Sequence, residues 1–268
     1  NPLYRYYVGA CLVSLNRDLD RAVELLQYAS KRDVPADVHF FLGEAYRKNY
    51  DFKMAKKSYI KFDKEADRAM ARELDPKLVI RSADHAVELT SAYNPTEVLN
   101  QHFINLNKPN EFGQLRGKGG KLARKPAEFF RPQEDRNDLN ALMFMPEKIT
   151  RGQNVYFSGI QGRDGFQIMQ ARRGNTGKWV DIKPVDVLNT DGDEILPYFD
   201  PVSNDLYFAS DGRSGLGGFD LFRSHFDPET STWSEPVNLG FPVNSVFDDY
   251  IVIPGSDLGM IMLVTARH

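Results

Sequence analysis

Two hydrophobic rhythms divide the chain. Up to about residue 93, apolar side chains recur three and four positions apart, the spacing of one face of a helix. The clearest run is His39-x-x-Leu42-Gly43-x-x-Tyr46, followed by Ala55 and Tyr59. An earlier run, Val8-Gly9-x-Cys11-Leu12, is followed by Ala22-x-x-x-Leu26-x-x-Ala29. Gly9 and Gly43 are 34 residues apart, so one helical hairpin is written twice. Small residues at Gly9, Ala22, Gly43 and Ala55 let paired helices approach closely, and the large ones fill the space between them. Asp18-Leu19 and Asp51-Phe52 stand where the turn inside each hairpin belongs. From Phe52 to about Leu74 the pattern stays helical, which predicts an overlong second arm. Asp75-Pro76 restarts a helix, Pro being tolerated in the first turn. That helix, over 77–92, carries Leu78, Val79, Ala83, Ala86, Val87 and Leu89. It is predicted to cap the stack and to end at Asn94-Pro95.

From Leu142 the rhythm changes to short apolar strands broken by Gly, Asp, Asn and Pro. These strands also repeat. Val155-Tyr156-Phe157-Ser158-Gly159 returns as Leu206-Tyr207-Phe208-Ala209-Ser210, and Gly165-Phe166-Gln167-Ile168 as Gly218-Phe219-Asp220-Leu221. Trp179 returns as Trp233, and Asn189 through Glu194 as Asn244 through Asp249. The offsets drift through 51, 53, 54 and 55 residues. A period near fifty with small insertions is the signature of stacked β-units such as propeller blades, none of which buries its faces alone. Ile261 through His268 matches Leu206 through Arg213 as a third copy that stops in mid-unit. The chain also starts at Asn1, with no initiator Met and inside a helical pattern. It is therefore expected to be a piece of a longer protein.

Between the two rhythms the pattern is faint. Val98 to Leu106 suggests a short strand, and Arg116 to Arg131 is a basic stretch that reads as a solvated linker. The expected organisation is helical repeats and a capping helix over 1–93, a connector over 94–138, and about two and a half β-units over 139–268.

Composition narrows the functional classes. Apolar residues at 41% and charged residues at 26% describe a globular chain. The net charge of −3 argues against a general nucleic-acid binder. No run of eighteen apolar residues is present to span a bilayer as a helix. The single cysteine, Cys11, rules out an intramolecular disulfide and a thiolate zinc cluster, and its place in a hairpin predicts a core position.

Few residues invite chemistry. Asp191-Gly192-Asp193-Glu194 has the carboxylates and the bend of a calcium loop, but a turn bonded to its own backbone explains it better. Asp211 and Asp220 are expected to tie strands and loops together. The histidines at 39, 85, 102, 225 and 268 lack metal-ligand spacing, and His39 is expected to pack. Gly212-Arg213-Ser214-Gly215-Leu216 misses the last glycine of a serine-hydrolase elbow. Gly215-Leu216-Gly217-Gly218 has no helix or Lys-Ser/Thr after it to make a phosphate loop. No catalytic residue, metal or cofactor is assigned. The better candidate is a peptide groove along the helical hairpins, faced by Tyr6, Ala10 and Val13 and by Phe40, Glu44, Arg47 and Lys48.

The hairpin pattern is similar to the tetratricopeptide W-x-x-L-G-x-x-Y…A-x-x-x-F, with His39 and Tyr59 at the outer aromatic positions. The stretch Tyr198-Phe199-Asp200-Pro201-x-x-Asn204-Asp205-Leu206-Tyr207-Phe208-Ala209-Ser210-Asp211-Gly212 looks like a blade of a TolB-like propeller of the Pro-Asp type. Gly217-Gly218-Phe219-Asp220-Leu221-Phe222, Trp233-Ser234-Glu235-Pro236-Val237-Asn238-Leu239-Gly240 and Pro242-Val243-Asn244-Ser245 complete it. The connector, with Ala83-x-x-Ala86-x-x-Leu89 and then Val98-Leu99-Asn100, fits as well. The first unit departs from the pattern, its Gln161-Gly162-Arg163-Asp164 loop being short. The whole resembles a Bacteroidota family that joins tetratricopeptide repeats to such a propeller, often ahead of a peptidoglycan-binding domain. One branch includes a lipoprotein of the type IX secretion system.

The resemblance implies an α + β multidomain chain: α-hairpin repeats, then an incomplete propeller. It implies a non-enzymatic scaffold or adaptor in the periplasm at the outer membrane. Its partners would be other proteins of an envelope or secretion complex, and peptidoglycan through a domain outside this chain. Two other classes remain: the propeller module of a serine peptidase whose catalytic domain lies elsewhere, and a stand-alone peptidoglycan- or carbohydrate-binding protein.

Overall fold

The computed structural model describes residues 1–91, 96–103, 108, 115–131, 139–160, 165–255 and 259–267. It is a mixed α and β chain, with six α-helices among the described residues of the N-terminal part and several antiparallel sheets after them. It divides into two compact units. One comprises Asn1–Asn94 with the short segments Ser214–Leu216 and Gly240–Pro242; the other holds the rest.

In the helical unit, α1 (Pro2–Ser14) and α2 (Leu19–Ala29) form one hairpin. The second hairpin is α3 (Val38–Lys48) and α4 (Phe52–Glu65). The Asn1 side chain caps α1 by accepting from the Leu3 and Tyr4 amides, and Asp51 caps α4 by accepting from Met54. Gly9 sits where an added Cβ would come within 2.6 Å of Leu26 Cγ, and at Gly43 it would come within 2.3 Å of Tyr59 Cε1. The same close helix approach therefore occurs twice, 34 residues apart on one arm and 33 on the other. Around it pack Val13, Leu26, Leu42, Ala45 and Tyr59.

Two expectations fail here. The helical run from Phe52 is not continuous: Ala66 turns to extended backbone, and α5 (Arg68–Leu74) starts afresh. The cause is Asp67, whose carboxylate accepts from the Ala69 and Met70 amides and so makes an N-cap where the pattern suggested a helix interior. Cys11 is exposed and not in the core, because Gly9, Ala10 and Val13 take the inner side of α1. The capping helix α6 (Pro76–Ser91) starts under an Asp75 cap, packing Ala83 and Ala86 inward. Its expected stop at Asn94-Pro95 lies outside the described residues.

Among the described residues the sheet unit contains four antiparallel sheets. The first joins β1 (Arg116–Gly117), β2 (Gly120–Arg124) and β3 (Leu142–Met145). The second joins β4 (Asn154–Gly159), β5 (Gln167–Arg173) and β6 (Trp179–Pro184). The third has β7 (Glu194–Asp200), β8 (Asp205–Ser210), β9 (Asp220–Asp227), β10 (Thr232–Trp233) and β11 (Val237–Asn238). The last pairs β12 (Asp249–Pro254) with β13 (Ile261–Thr265). Alternation along each strand fills both faces. On β4, Val155 and Phe157 pack with Phe129, Met143 and Met169. Its Tyr156 turns the other way, onto Leu206, Phe208 and Phe222 of the third sheet. That sheet's opposite face, with Ile195, Ala209 and Leu221, meets Ile251 and Val264 of the last one. Successive sheets thus stack face to face through layers made mainly of apolar side chains.

The stretch Arg116–Arg131 is not a solvated linker. It supplies β1 and β2, buries Leu122 and Phe129, and buries Lys125 with its ammonium donating to the Ser158 carbonyl at 2.7 Å. Its charges alternate with inward positions, so the basic composition hid a strand. Of the expected strand Val98–Leu106, residues 98–103 have no regular structure and 104–106 lie outside the described residues. The Gln161–Asp164 loop and His268 also lie outside them.

Candidate functional site

Of the carboxylates at 191–194, Asp191 is exposed, whereas Asp193 and Glu194 accept hydrogen bonds from other groups of the protein. Asp193 Oδ1 accepts from the Phe166 amide at 2.6 Å. Glu194 accepts from the Thr190 amide, the Thr190 hydroxyl and the Ser210 hydroxyl, at 2.9, 2.6 and 2.8 Å. Asn189 uses both ends of its amide on the main chain of Ile168. The later copy makes the same bonds. Asp248 Oδ1 accepts from Phe219, Asp249 accepts from the Ser245 amide and hydroxyl, and Asn244 brackets Leu221. N-[ST]-x-x-D-[DE] is therefore a staple that ties one repeat to the next, and calcium is not needed to explain it. Among the described residues no group of three or more His, Cys, Asp and Glu is arranged to hold a metal.

Asp211 and Asp220 act as ties. Asp211 Oδ1 accepts from the Asp193 amide at 2.6 Å, and Asp220 accepts from the Gly217 amide and the Asn238 side chain. Burial pushes the Asp211 carboxyl up to about 6, and the negative charges of Asp193 and Glu194 add to that. Trp179 and Trp233 hold matching places, opposite Arg173 on β5 and Phe226 on β9, residues 53 apart. His39 is buried, with Nε2 3.3 Å from Glu65, and His225 Nδ1 lies 2.8 Å from Asp205.

The seven groove candidates lie on α1 and α3, where Tyr6, Val13 and Arg47 are buried and Phe40, Glu44 and Lys48 half-buried. Their polar atoms are engaged within the helical unit. The Tyr6 hydroxyl donates to Asp37 at 2.7 Å, and Lys48 Nζ donates to the Val13 carbonyl at 2.8 Å. Glu44 takes a two-pronged contact from Arg47 and a hydrogen bond from the Tyr59 hydroxyl at 2.6 Å. Burial pushes the Glu44 carboxyl up, but the Arg47 charge and these hydrogen bonds outweigh it, so the carboxyl titrates below its ordinary range. Burial and Glu44 together hold the Tyr59 hydroxyl well above its own.

The same unit shows how these side chains treat a peptide. Arg47 Nη1 donates to the Leu216 carbonyl at 2.7 Å, and the Gly215 amide donates to Ser82 Oγ at 3.3 Å. His85 Nδ1 lies 3.3 Å from the Ser214 carbonyl, and Leu216 is fully buried. Side chains of α3 and α6 thus hold a main-chain segment by its amides and carbonyls. Ser214, the serine of the incomplete hydrolase elbow, is part of this held segment.

Sequence reasoning missed the outer side of α1. Leu3, Tyr4, Tyr7, Cys11 and Leu15 are all exposed there. The signal was available, since α1 has apolar residues around its whole circumference, more than one buried face requires. In the sheet unit a depression of about 510 Å³ is lined by Lys118, Lys148, Asn154, Tyr156 and Phe199, without converging buried polar groups. Comparison with protein-family models, curated proteins and solved structures found no match for this chain.

Proposed function

We propose that the chain is a non-enzymatic scaffold of the family that joins tetratricopeptide repeats to a TolB-like β-propeller. In this reading α1–α4 are two tetratricopeptide hairpins closed by α5 and α6, and the sheets from β4 to β13 are successive blades. The carrying observation is contact-level repetition. Gly9 on Leu26 recurs as Gly43 on Tyr59, and the Asn189 staple recurs at Asn244. Repeat units of this kind add up to broad binding surfaces. The acidic residues that a catalytic or metal-dependent reading would need are engaged in ties between repeats. The way Arg47, Ser82 and His85 hold Ser214–Leu216 is the chemistry of peptide capture, by backbone hydrogen bonds with an apolar anchor.

The setting follows from the family likeness. The scaffold sits in the periplasm at the outer membrane and belongs to a secretion assembly of the type IX kind. Its partners are other proteins, with peptidoglycan reached through a domain outside this chain. No helix among the described residues is long and apolar enough to cross a membrane. The test is to tag the protein in the cells that make it, fractionate the envelope, and cross-link before purification. Recovery with outer-membrane and secretion proteins is expected. Recovery in the cytosol, or labelling of the full-length protein by a serine-hydrolase probe, would overturn the reading, the second outcome in favour of a peptidase.

A further inference from the structure

Arg47, one of the groove candidates, is already engaged with a peptide segment, and that segment belongs to the same chain. Ser214–Leu216 folds with the helical unit and offers its main chain to side chains of α3 and α6. Arg47 Nη1 donates to the Leu216 carbonyl at 2.7 Å, Ser82 Oγ accepts from the Gly215 amide at 3.3 Å, and His85 Nδ1 faces the Ser214 carbonyl at 3.3 Å. The Leu216 side chain is fully buried. The principal donor is fixed without help from the segment. Glu44 grips the Arg47 guanidinium at 3.1 and 2.6 Å, and the Tyr59 hydroxyl holds Glu44 in turn at 2.6 Å. A nearly buried ion pair of this kind adds little stability over an apolar pair of the same size. What an apolar pair lacks is a donor aimed at a carbonyl. Tyr59, Glu44 and Arg47 in series are therefore the wall of a preformed peptide site.

We propose that Arg47, Ser82 and His85 form a peptide-binding site whose resident is Ser214–Leu216, and that a partner protein engages the chain by presenting a segment that takes the resident's place. The resident defines the chemistry of that segment. Recognition runs through two carbonyls and an amide, which every peptide carries, so it asks for an accessible main chain and no charge. Selectivity lies in the buried leucine and in the small residues, Ser214 and Gly215, that precede it. The ligand class is therefore an uncharged small-small-leucine segment. The resident is tethered beside the site and competes at a high effective concentration. A free ligand binds only in proportion to the time the site stands open. Self-occupancy makes the site a gate: a dilute peptide is refused, and a segment delivered at high local concentration by an assembled partner is admitted. As a docking point for a partner the site rests on the scaffold reading above; its exchange of one peptide for another does not.

The probe is a capped, dye-labelled peptide copying residues 214–218, and its binding to the full chain is to be followed by fluorescence anisotropy. Leu216→Ser weakens the resident and leaves the three recognising side chains in place. The peptide should bind this variant at least about tenfold more tightly than the parent chain, the ratio expected when the resident covers the site nine-tenths of the time. A peptide with serine in place of its leucine should bind neither. Arg47→Lys, added to Leu216→Ser, should abolish the gain. A second measurement needs no variant. Arg213 is half-buried, and a displaced resident exposes the bond that follows it. Saturating peptide should therefore speed tryptic cleavage of the parent chain after Arg213 by about tenfold, and the serine peptide should not. Equal affinities for the parent chain and Leu216→Ser, or an unchanged cleavage rate, would overturn the proposal and leave Ser214–Leu216 a structural tie. An assembly recovered from the envelope while the site refuses the peptide would remove the site and keep the scaffold. Peptide exchange in a chain recovered from the cytosol would do the opposite.

Discussion

Gly43 on α3 packs against the ring of Tyr59 on α4, so close that an added β-carbon would come within 2.3 Å of the ring carbon Cε1. Tyr59 is fully buried and its hydroxyl is tied to Glu44, so the ring has no room to withdraw. Gly43→Leu should therefore force the two helices apart. The expected loss is about 1–3 kcal/mol or more, the cost of overpacking a close-packed interior. Thermal denaturation followed by far-ultraviolet circular dichroism reads it. Gly9→Ala should cost less than Gly43→Ala, because Leu26 is flexible where Tyr59 is pinned. An unchanged melting temperature for Gly43→Leu would mean that the two helices do not meet there.

Asn244 is fully buried and satisfies both the amide and the carbonyl of Leu221, at 2.7 and 2.9 Å. Asn244→Ala would take the acceptor from the buried Leu221 amide, at about 1–3 kcal/mol, while the Leu221 carbonyl keeps the Leu239 amide at 3.1 Å. Asn189 makes the same bonds to Ile168 but is only half-buried, so water can replace part of its role. Denaturant midpoints should therefore fall further for Asn244→Ala than for Asn189→Ala. The reverse order would break the equivalence of the two staples.

The repeats were legible because the residues that make the contacts are the ones that recur. Gly9 and Gly43 are alike because both must admit a neighbouring side chain, and Asn189 and Asn244 because both must bracket a strand. What was hidden depended on competition between residues. Asp67 in a helical run reads as a solvent-facing carboxylate, and nothing in the spacing reveals that it will cap a new helix. Lys125 reads as part of a charged linker until Ser158 offers its carbonyl. The groove residues could be placed on α1 and α3 by phase. Their partners Asp37, Tyr59 and Leu216 could not, since those contacts reach across as many as 169 residues.

Arg47 and Glu44 form a nearly buried ion pair, their side chains 10% and 16% exposed. Arg47→Met would leave the Glu44 carboxylate without its cation, and a broken buried pair costs about 3–5 kcal/mol. Adding Glu44→Gln removes the stranded charge and keeps an acceptor for Tyr59. The double variant should consequently be more stable than Arg47→Met alone. Urea unfolding of the two single variants and the double variant gives the coupling, and additive losses would show that the pair does not act as a unit.

Asp211 gives the sheet unit a pH dependence whose sign follows from its raised pKa. Burial and the charges of Asp193 and Glu194 lift the folded carboxyl from 3.8 to about 6. Between those values the folded chain keeps a proton that the unfolded chain has lost. Stability from this group is therefore largest at the acid end and falls as pH rises through about 6. Asp211→Asn cannot ionise, and its amide oxygen can still accept from the Asp193 amide. The variant should gain on the parent protein as pH is raised from about 3.5 to about 7, with the smallest difference between them at the lower value, which lies below both pKa values. Urea midpoints of both proteins at the two pH values decide the matter, because the other carboxylates contribute equally to each and cancel in the comparison. Parallel pH dependences would mean that Asp211 ionises as easily in the folded chain as in the unfolded one, and that its bond to Asp193 compensates fully for its burial.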